Sequence, residues 1–236
     1  MSFEHEKELV GRRAAELVED GQVIGVGSGT TISYFIKYLG ERCRNEGLKI
    51  LAVPSSYQSY FELIKAGVAL TTLDEHNILD LTIDGADEAD EELNLIKGGG
   101  GALTQEKIIG TYTKKLIILI DSSKLVKKLG RSPIPVEVLP KALSPVYKKI
   151  ELLGGKPEVR MAKRKLGPVI TDNGNFILDC KFEELNDLED LNIKIKMLPG
   201  VVETGLFIGL TDKILVGKEG SVIEKVKQRA RPDLNR

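Results

Sequence analysis

The sequence predicts an α/β fold, with a mostly parallel, helix-covered sheet and a smaller α+β unit inserted toward the C-terminal side. Three observations carry this reading. Short apolar stretches alternate with amphipathic helical stretches through the first half, the arrangement that builds a parallel sheet with right-handed crossovers. Residues 116–120 (Leu-Ile-Ile-Leu-Ile) are uniformly aliphatic, as expected of a strand covered on both faces. Near Arg131 the pattern breaks at Ser132, Pro133, Pro135 and Pro140, and the chain beyond it approximates a β-α-β-β-α-β plait with room for one extra strand.

In chain order, residues 22–26 make an apolar strand containing glycine. A helix over 31–43 places Ile32, Phe35, Ile36 and Leu39 on one buried face. Residues 49–53 form a strand stopped by Pro54, and Ser55 and Ser56 can cap the helix that carries Tyr57, Phe61 and Ile64. Strands are expected at 68–71 and 79–83. Beyond the proline break come a strand (134–139), a helix (145–153) and a strand (158–161). A hairpin over 169–180 turns at Asp172-Asn173-Gly174-Asn175. A helix at 182–191 and a strand at 201–207 complete the insert, and a strand at 213–216 with a helix at 221–230 rejoins the first sheet. The chain therefore divides into a first domain (1–130), an insert (131–206) and a return segment (207–236).

Composition excludes several classes of function. The 34 basic and 35 acidic residues leave a net charge of −1, too little for a general attraction to nucleic acid or an anionic membrane. No apolar run is long enough to cross a bilayer. Residues 1–7 are charged rather than leader-like, and nothing before Gly11 is long enough to be a DNA-binding segment. Cys43 and Cys180 are far apart and read as reduced thiols of a cytoplasmic protein. His5 and His76 sit in no ligand cluster, which argues against zinc or histidine chemistry. The Lys- and Glu-rich, Trp-free composition resembles that of thermophile proteins.

In open α/β sheets, ligands gather beyond the carboxyl ends of the strands. The segments after four strands (25–31, 84–87, 97–101 and 121–124) are all polar, charged or glycine-rich, and should meet on one edge of the sheet. Lys97-Gly98-Gly99-Gly100-Gly101 is the most informative. Glycines without a Cβ let the backbone approach a ligand and turn its N–H groups toward it. A flexible linker would carry Ser, Pro or charge around the glycines, whereas this run lies between apolar stretches. With Ala102 opening a helix, Glu106 lies about one turn in and can point back at the loop.

The segment Gly25-Val26-Gly27-Ser28-Gly29-Thr30-Thr31 follows a strand and enters a helix. It offers free N–H groups, a positive dipole end and three hydroxyls to an anion. It is neither the dinucleotide fingerprint nor a Walker loop, so phosphate on a small molecule is favoured over a nucleotide. Asp84-Gly85-Ala86-Asp87 places two carboxylates three residues apart. They suit acid–base work or hydroxyl binding, with a divalent-metal site and an acidic turn as the competing readings. The rest of the acidic run 87–92 is expected to be mostly a solvated face. Lys124, after Asp121-Ser122-Ser123, adds a cation at another strand end. A glutamate, two aspartates and two lysines suit proton shuffling on a sugar.

Taken together, GVGSGTT, DGADE, KGGGGALTQEKI and DSSK, with NGNFILD and PGVVETGLF downstream, resemble the ribose-5-phosphate isomerases of the A type. The resemblance runs from about Lys7 to the last strand, in order and with compatible spacing. It implies a Rossmann-like domain with an inserted ferredoxin-like domain, and interconversion of D-ribose 5-phosphate and D-ribulose 5-phosphate in the pentose phosphate pathway. By position it implies Glu106 as catalytic base, with ring opening assisted by Asp84 or Lys97. Ser28, Gly29, Thr30, Thr31, Asp84, Gly85, Ala86, Asp87, Lys97, Gly98, Gly99, Gly100 and Lys124 match substrate-binding segments, and Lys7 a lysine near the phosphate. Departures are mild. Ser28 and Thr30 exchange hydroxyl types, Gly101 is a fourth glycine, and Thr204 stands where Asn is frequent. No cofactor or metal is implied. A homodimer or homotetramer is, with exposed apolar surface on the insert as the place to look. Two other readings stay open: a non-catalytic sugar-phosphate sensor, and an amino-sugar phosphate isomerase/deaminase or CoA transferase of related fold.

Overall fold

The computed structural model describes residues 2–227. The chain opens with a helix that hydrophobic periodicity alone does not reveal, α1 (Phe3–Ala15). Its cap is Ser2, whose side chain accepts the His5 N–H. It buries Val10, Ala14 and Ala15 and lies close against the next helix. A Cβ on Gly11 would stand 2.7 Å from Tyr34 Cβ and 2.8 Å from the Phe35 nitrogen.

Strands and helices then alternate as the pattern predicts: β1 (Val23–Val26), α2 (Thr30–Asn45), β2 (Leu51–Pro54), α3 (Tyr57–Ala66), β3 (Ala69–Leu70) and β4 (Leu81–Gly85). Ser56 caps α3 in a reciprocal capping box with Ser59. Two short strands, β5 (Glu88–Ala89) and β6 (Leu95–Ile96), precede α4 (Leu103–Thr111) and β7 (Leu116–Asp121), and β7 runs into a 3-10 turn at Ser122–Lys124. The second half contributes β8 (Ile134–Val138), α5 (Leu143–Leu152), β9 (Gly155–Val159), β10 (Phe176–Phe182), α6 (Leu188–Lys196), β11 (Val201–Thr204), β12 (Leu206–Phe207), β13 (Lys213–Lys218) and β14 (Ser221–Val226).

The fold class is α/β. The main sheet has the order β14-β13-β7-β4-β1-β2-β3, parallel throughout except for the β13–β14 pair. From β1 the connections run outward to β2 and β3, while β4 lies on β1's other side and leads to β7. The order therefore reverses between β1 and β4, which opens a crevice beyond their carboxyl ends. A four-stranded antiparallel sheet, β11-β8-β10-β9, forms its own core with α5 and α6 around Val136, Val138, Ile150, Leu178 and Ile195. A third sheet, β12-β6-β5, joins the returning chain to the segment before the glycine run.

Several expectations need correction. Residues 221–226 are a strand and not part of a helix; 228–230 lie outside the described residues. The cause is a two-residue turn in which Glu219 (φ 49°) and Gly220 (φ 82°) both adopt left-handed conformations, the geometry that joins antiparallel strands tightly. The expected hairpin keeps its turn, with Gly174 N–H on the Thr171 carbonyl (2.8 Å), but 169–171 form no strand and β10 pairs with β8 and β9. The helix expected at 182–191 starts at Leu188, where Asp187 caps it by accepting the Asp190 N–H. The strand expected at 201–207 splits at Gly205 between two sheets. The acidic run is not mostly solvated. Glu88 is fully buried and accepts N–H groups of Gly130 (2.9 Å), Arg131 (3.3 Å) and Ser132, while Asp90, also buried, accepts those of Glu92 and Asn94.

Candidate active site

The floor of the crevice is set where β1 and β4 end. Asp84, 1 % exposed, accepts the N–H groups of Ser28 (3.2 Å) and Gly85 (2.7 Å) through Oδ1. A Cβ on Gly27 would fall 1.8 Å from that oxygen, so only glycine lets the β1–α2 loop lie over the carboxylate. Gly29 (φ 100°) turns the chain into α2, and no side chain caps the helix. Its first turn, carrying Thr30 and Thr31, is thus open to an anion. The Ser28 hydroxyl is already engaged with Ser55 (2.9 Å) and Ser56 (2.7 Å). Of the three hydroxyls expected to serve a ligand, the two threonines are the freer.

Lys97 follows β6, in the small sheet and not the main one as expected, but it reaches the same crevice. It is 2 % exposed. Its ammonium lies 2.9 Å from Asp84 Oδ2 and 3.1 Å from Glu106 Oε2, and donates a 2.6 Å hydrogen bond to the Gly85 carbonyl. Phe207 presents its ring 5.3 Å away. The returning chain fixes this position. The Lys97 N–H donates to the Gly205 carbonyl (2.9 Å), and a Cβ on Gly205 would sit 2.3 Å from the Lys97 oxygen. Burial works against the charge of Lys97, but Asp84 and Glu106 outweigh it and hold the ammonium protonated.

The glycine run turns at Gly98 (φ 106°) and Gly101 (φ 85°), closed by the Gly101 N–H on the Gly98 carbonyl (3.0 Å). The Gly99 N–H donates to Asp87 Oδ2 at 2.7 Å. Ala102 caps α4, and its carbonyl accepts the Glu106 N–H (3.0 Å), which sets Glu106 in the first helical turn facing Lys97. Glu106 is 6 % exposed. Burial, then the charge of Asp84, push its carboxyl up to about 8, against the pull of Lys97. Asp84 and Glu106 share one ammonium, so the cluster resists its second negative charge.

At the far end, the 3-10 turn after β7 is capped by Asp121, which accepts the Ser123 N–H (3.0 Å). Glu6 on α1 reaches across and accepts both the N–H (2.9 Å) and the hydroxyl (2.7 Å) of Ser122. That clamp brings Lys7 to the same wall as Lys124. The resulting cleft holds about 250 Å³. It is lined by Lys7, Ser28, Gly29, Thr30, Thr31, Gly85, Ala86 and Asp87, together with Lys97, Gly98, Gly99, Gly100, Glu106 and Lys124. Asp84 alone of the expected set lies beneath the floor, reaching the cleft through Lys97. Asp121, from the 121–124 segment expected at this edge but assigned no role, joins the lining, as does Ile120, which was not expected. Glu6, Gly205 and Phe207 have supporting places; Gly205 and Phe207 fall in the PGVVETGLF motif, to which the sequence reading gives no role at the site, and no motif signals Glu6.

A larger depression of about 550 Å³ between α1 and α2 is not a competing site. Of its two arginines, Arg42 is spent on Glu46 and on the carbonyls of Ala15 and Val18, tying the helices together, and Arg12 stands exposed on the surface. Among the described residues, no helix is long and apolar enough to cross a membrane, and no group of three His, Cys, Asp or Glu side chains could hold a metal ion.

A switch-point cleft lined by Lys7, Lys124 and a buried lysine–glutamate pair defines an enzyme that moves protons on a small anionic substrate. The family model for ribose 5-phosphate isomerase A (phosphoriboisomerase A) matches residues 51–221. The chain belongs to that family, a family of aldose–ketose isomerases. It is 49 % identical over 214 residues to the ribose-5-phosphate isomerase A of Trichodesmium erythraeum, covering 90 % of each chain. The structure of the isomerase from Methanocaldococcus jannaschii superposes with a TM-score of 0.92 at 45 % identity, over 96 % of this chain and 100 % of that one. A D-ribose-5-phosphate isomerase in complex with phospho-erythronic acid superposes at 0.93 and 41 % identity, with the same coverage.

Proposed function

We propose that this chain interconverts D-ribose 5-phosphate and D-ribulose 5-phosphate through an enediolate, in the pentose phosphate pathway. The observation that carries the reading is the Glu106–Lys97 pair, 3.1 Å apart at the cleft wall, with Lys7 and Lys124 lining the same cleft. The phosphate is bound by Lys7, Lys124 and the uncapped first turn of α2 at Thr30 and Thr31, where positive charge and free N–H groups combine. Ring opening is driven by Lys97, whose charge Asp84 sustains from beneath.

In the open-chain aldose, Glu106 removes the proton from C2. The electron pair moves into the C1–C2 bond and charge develops on the C1 oxygen, stabilised by Lys97 and by the Gly100 N–H, since those of Gly99 and Gly101 are held by Asp87 and the Gly98 carbonyl. Such a preorganised donor is worth about 3–4 kcal/mol. The proton on the C2 oxygen then passes to the neighbouring C1 oxygen of the cis-enediolate, and Glu106 returns its own proton to C1, leaving a hydroxyl on C1 and a ketone at C2. Substrate and product have the same oxidation level overall, so no redox cofactor is consumed.

The division into 1–130 with 207–236 as a Rossmann-like domain, of which 2–130 and 207–227 are described, and 131–206 as a ferredoxin-like insert belongs to this reading. Self-association as a homodimer or homotetramer belongs to the same reading. Candidate faces are the exposed Tyr57, Phe61 and Ile64 of α3, and Leu152, Leu166, Ile193 and Met197 on the insert. A cytoplasmic location completes it.

The test is a coupled assay of ribose 5-phosphate against ribulose 5-phosphate, run with and without EDTA. Turnover unaffected by the chelator is expected, since Lys97 already occupies the space between Asp84 and Glu106. Binding without turnover would favour a sensor, and ammonia release from an amino-sugar phosphate would favour a deaminase.

A further inference from the structure

The downstream motif Asn173-Gly174-Asn175-Phe176-Ile177-Leu178-Asp179 belongs to the second sheet and its approach, and touches no substrate in the proposed mechanism. Its last residue nonetheless connects to the glycine run. Asp179 on β10 holds Arg160 in a two-pronged ion pair, Nε to Oδ2 at 2.8 Å and Nη2 to Oδ1 at 2.5 Å. The remaining arm of that guanidinium, Nη1, donates to the carbonyls of Gly98 (2.7 Å) and Gly99 (3.1 Å).

We propose that Arg160 is a positioning residue for catalysis: braced by Asp179, it fixes the Gly98 and Gly99 carbonyls and so aims the N–H groups of Gly99 and Gly100. This deepens the isomerase reading and rests on it for its catalytic consequence. In a trans peptide, C=O and the following N–H point in opposite directions. A carbonyl pulled toward Arg160 turns the next N–H away from it. The Gly99 N–H accordingly meets Asp87 Oδ2 at 2.7 Å, and Gly100 lines the cleft. Glycine is the residue with most freedom to lose, so a run of four needs an external hold to keep one arrangement. The guanidinium suits this because it is planar, and its fork engages the carboxylate while a third nitrogen reaches the loop. A lysine offers no such geometry.

The test compares the native enzyme with R160Q, R160K and D179N. D179N keeps the arginine and removes only its brace, in case R160Q does not fold. For R160Q, kcat on ribose 5-phosphate should fall about 10- to 100-fold, the usual result of misplacing a catalytic group by an ångström. KM and competitive inhibition by inorganic phosphate should change little, because Lys7 and Lys124 are untouched. Affinity for phospho-erythronic acid should fall in step with kcat. D179N should show the same pattern more weakly, and R160K should not restore the native rate. A merely structural role would lower the melting temperature without this split.

Amide hydrogen exchange over residues 97–103 provides a readout independent of the substrate. Faster exchange in R160Q and D179N is expected whatever sugar the enzyme uses. Native exchange in both variants would overturn the proposal, as would native kcat. An inactive native enzyme whose loop still loosened in the variants would instead overturn the isomerase reading and leave the hold on the loop standing.

Discussion

Lys97 and Glu106 are joined by charge without an aligned hydrogen bond. The ammonium lies 3.1 Å from Glu106 Oε2, yet that buried oxygen receives no donor in hydrogen-bonding geometry. The directed bond of the ammonium goes to the Gly85 carbonyl at 2.6 Å. A carboxylate so placed keeps its lone pairs basic while remaining next to a permanent cation. A base that must take a proton from carbon, beside a donor that must stabilise the resulting oxyanion, needs this combination.

The first prediction concerns rate and pH. With the Glu106 carboxyl pushed up to about 8, chiefly by burial, the free enzyme is mostly protonated at that site at pH 6. The base works as the carboxylate, so kcat/KM should climb about tenfold per pH unit on the acid side, bend near pH 8 and level off above it. Glu106→Gln should lower kcat by about 10²–10⁴ while ribose 5-phosphate still binds. A flat profile from pH 5 to 8, or near-native turnover in the glutamine variant, would count against Glu106 as the base.

The same residue should cost stability at working pH. Its folded pKa lies above the unfolded value, so the native state binds more protons between about pH 4.5 and 8 and loses stability as pH rises through that window. Glu106→Gln, which is uncharged throughout, should melt higher than native protein at pH 8, and the gap should close toward pH 4.5. Calorimetric melting at three pH values checks this; equal melting temperatures at pH 8 contradict it.

Lys124 tests the other end of the cleft. It is half-buried, lines the cleft with Lys7, and rides on a turn held by Asp121 and Glu6. Lys124→Ala should raise KM for ribose 5-phosphate about tenfold, the loss of one charge-assisted phosphate contact, and change kcat much less. An unchanged Michaelis constant would remove Lys124 from the phosphate site.

Gly205 tests how Lys97 is held. A Cβ there would lie 2.3 Å from the Lys97 carbonyl and 2.6 Å from Pro135 Cδ, and both neighbours are constrained by the chain. Gly205→Ala should destabilise the protein by about 1–3 kcal/mol, as overpacking does, and lower kcat with it. Denaturant unfolding with parallel kinetics measures both, and native stability would show that the crossing can relax.

The parallel sheet was legible in the sequence, because covered strands and one-faced helices leave all-aliphatic and period-3.6 signatures. So was the cleft lining. Fourteen of the fifteen expected residues border one cavity: those after β1, β4 and β7 meet there because strand-end loops of an open sheet share an edge, while Lys97 and the glycine run arrive from the small sheet. The misread elements are those decided by contacts distant in sequence. Residues 221–226 are a strand because Glu219 and Gly220 turn left-handed, and because β13 offers a partner edge. Glu88 is buried because three N–H groups from 130–132 close over it.

What the sequence alone determined is therefore the kind of chemistry: which carboxylates, lysines and glycines stand at the ends of strands. Tertiary structure decided how they work. It placed Asp84 beneath Lys97 rather than in the cleft, raised the Glu106 pKa by excluding water, and brought Arg160 from β9's far end to the glycine run. Those outcomes depend on distances and burial between segments far apart in the chain, and no local pattern of side chains encodes them.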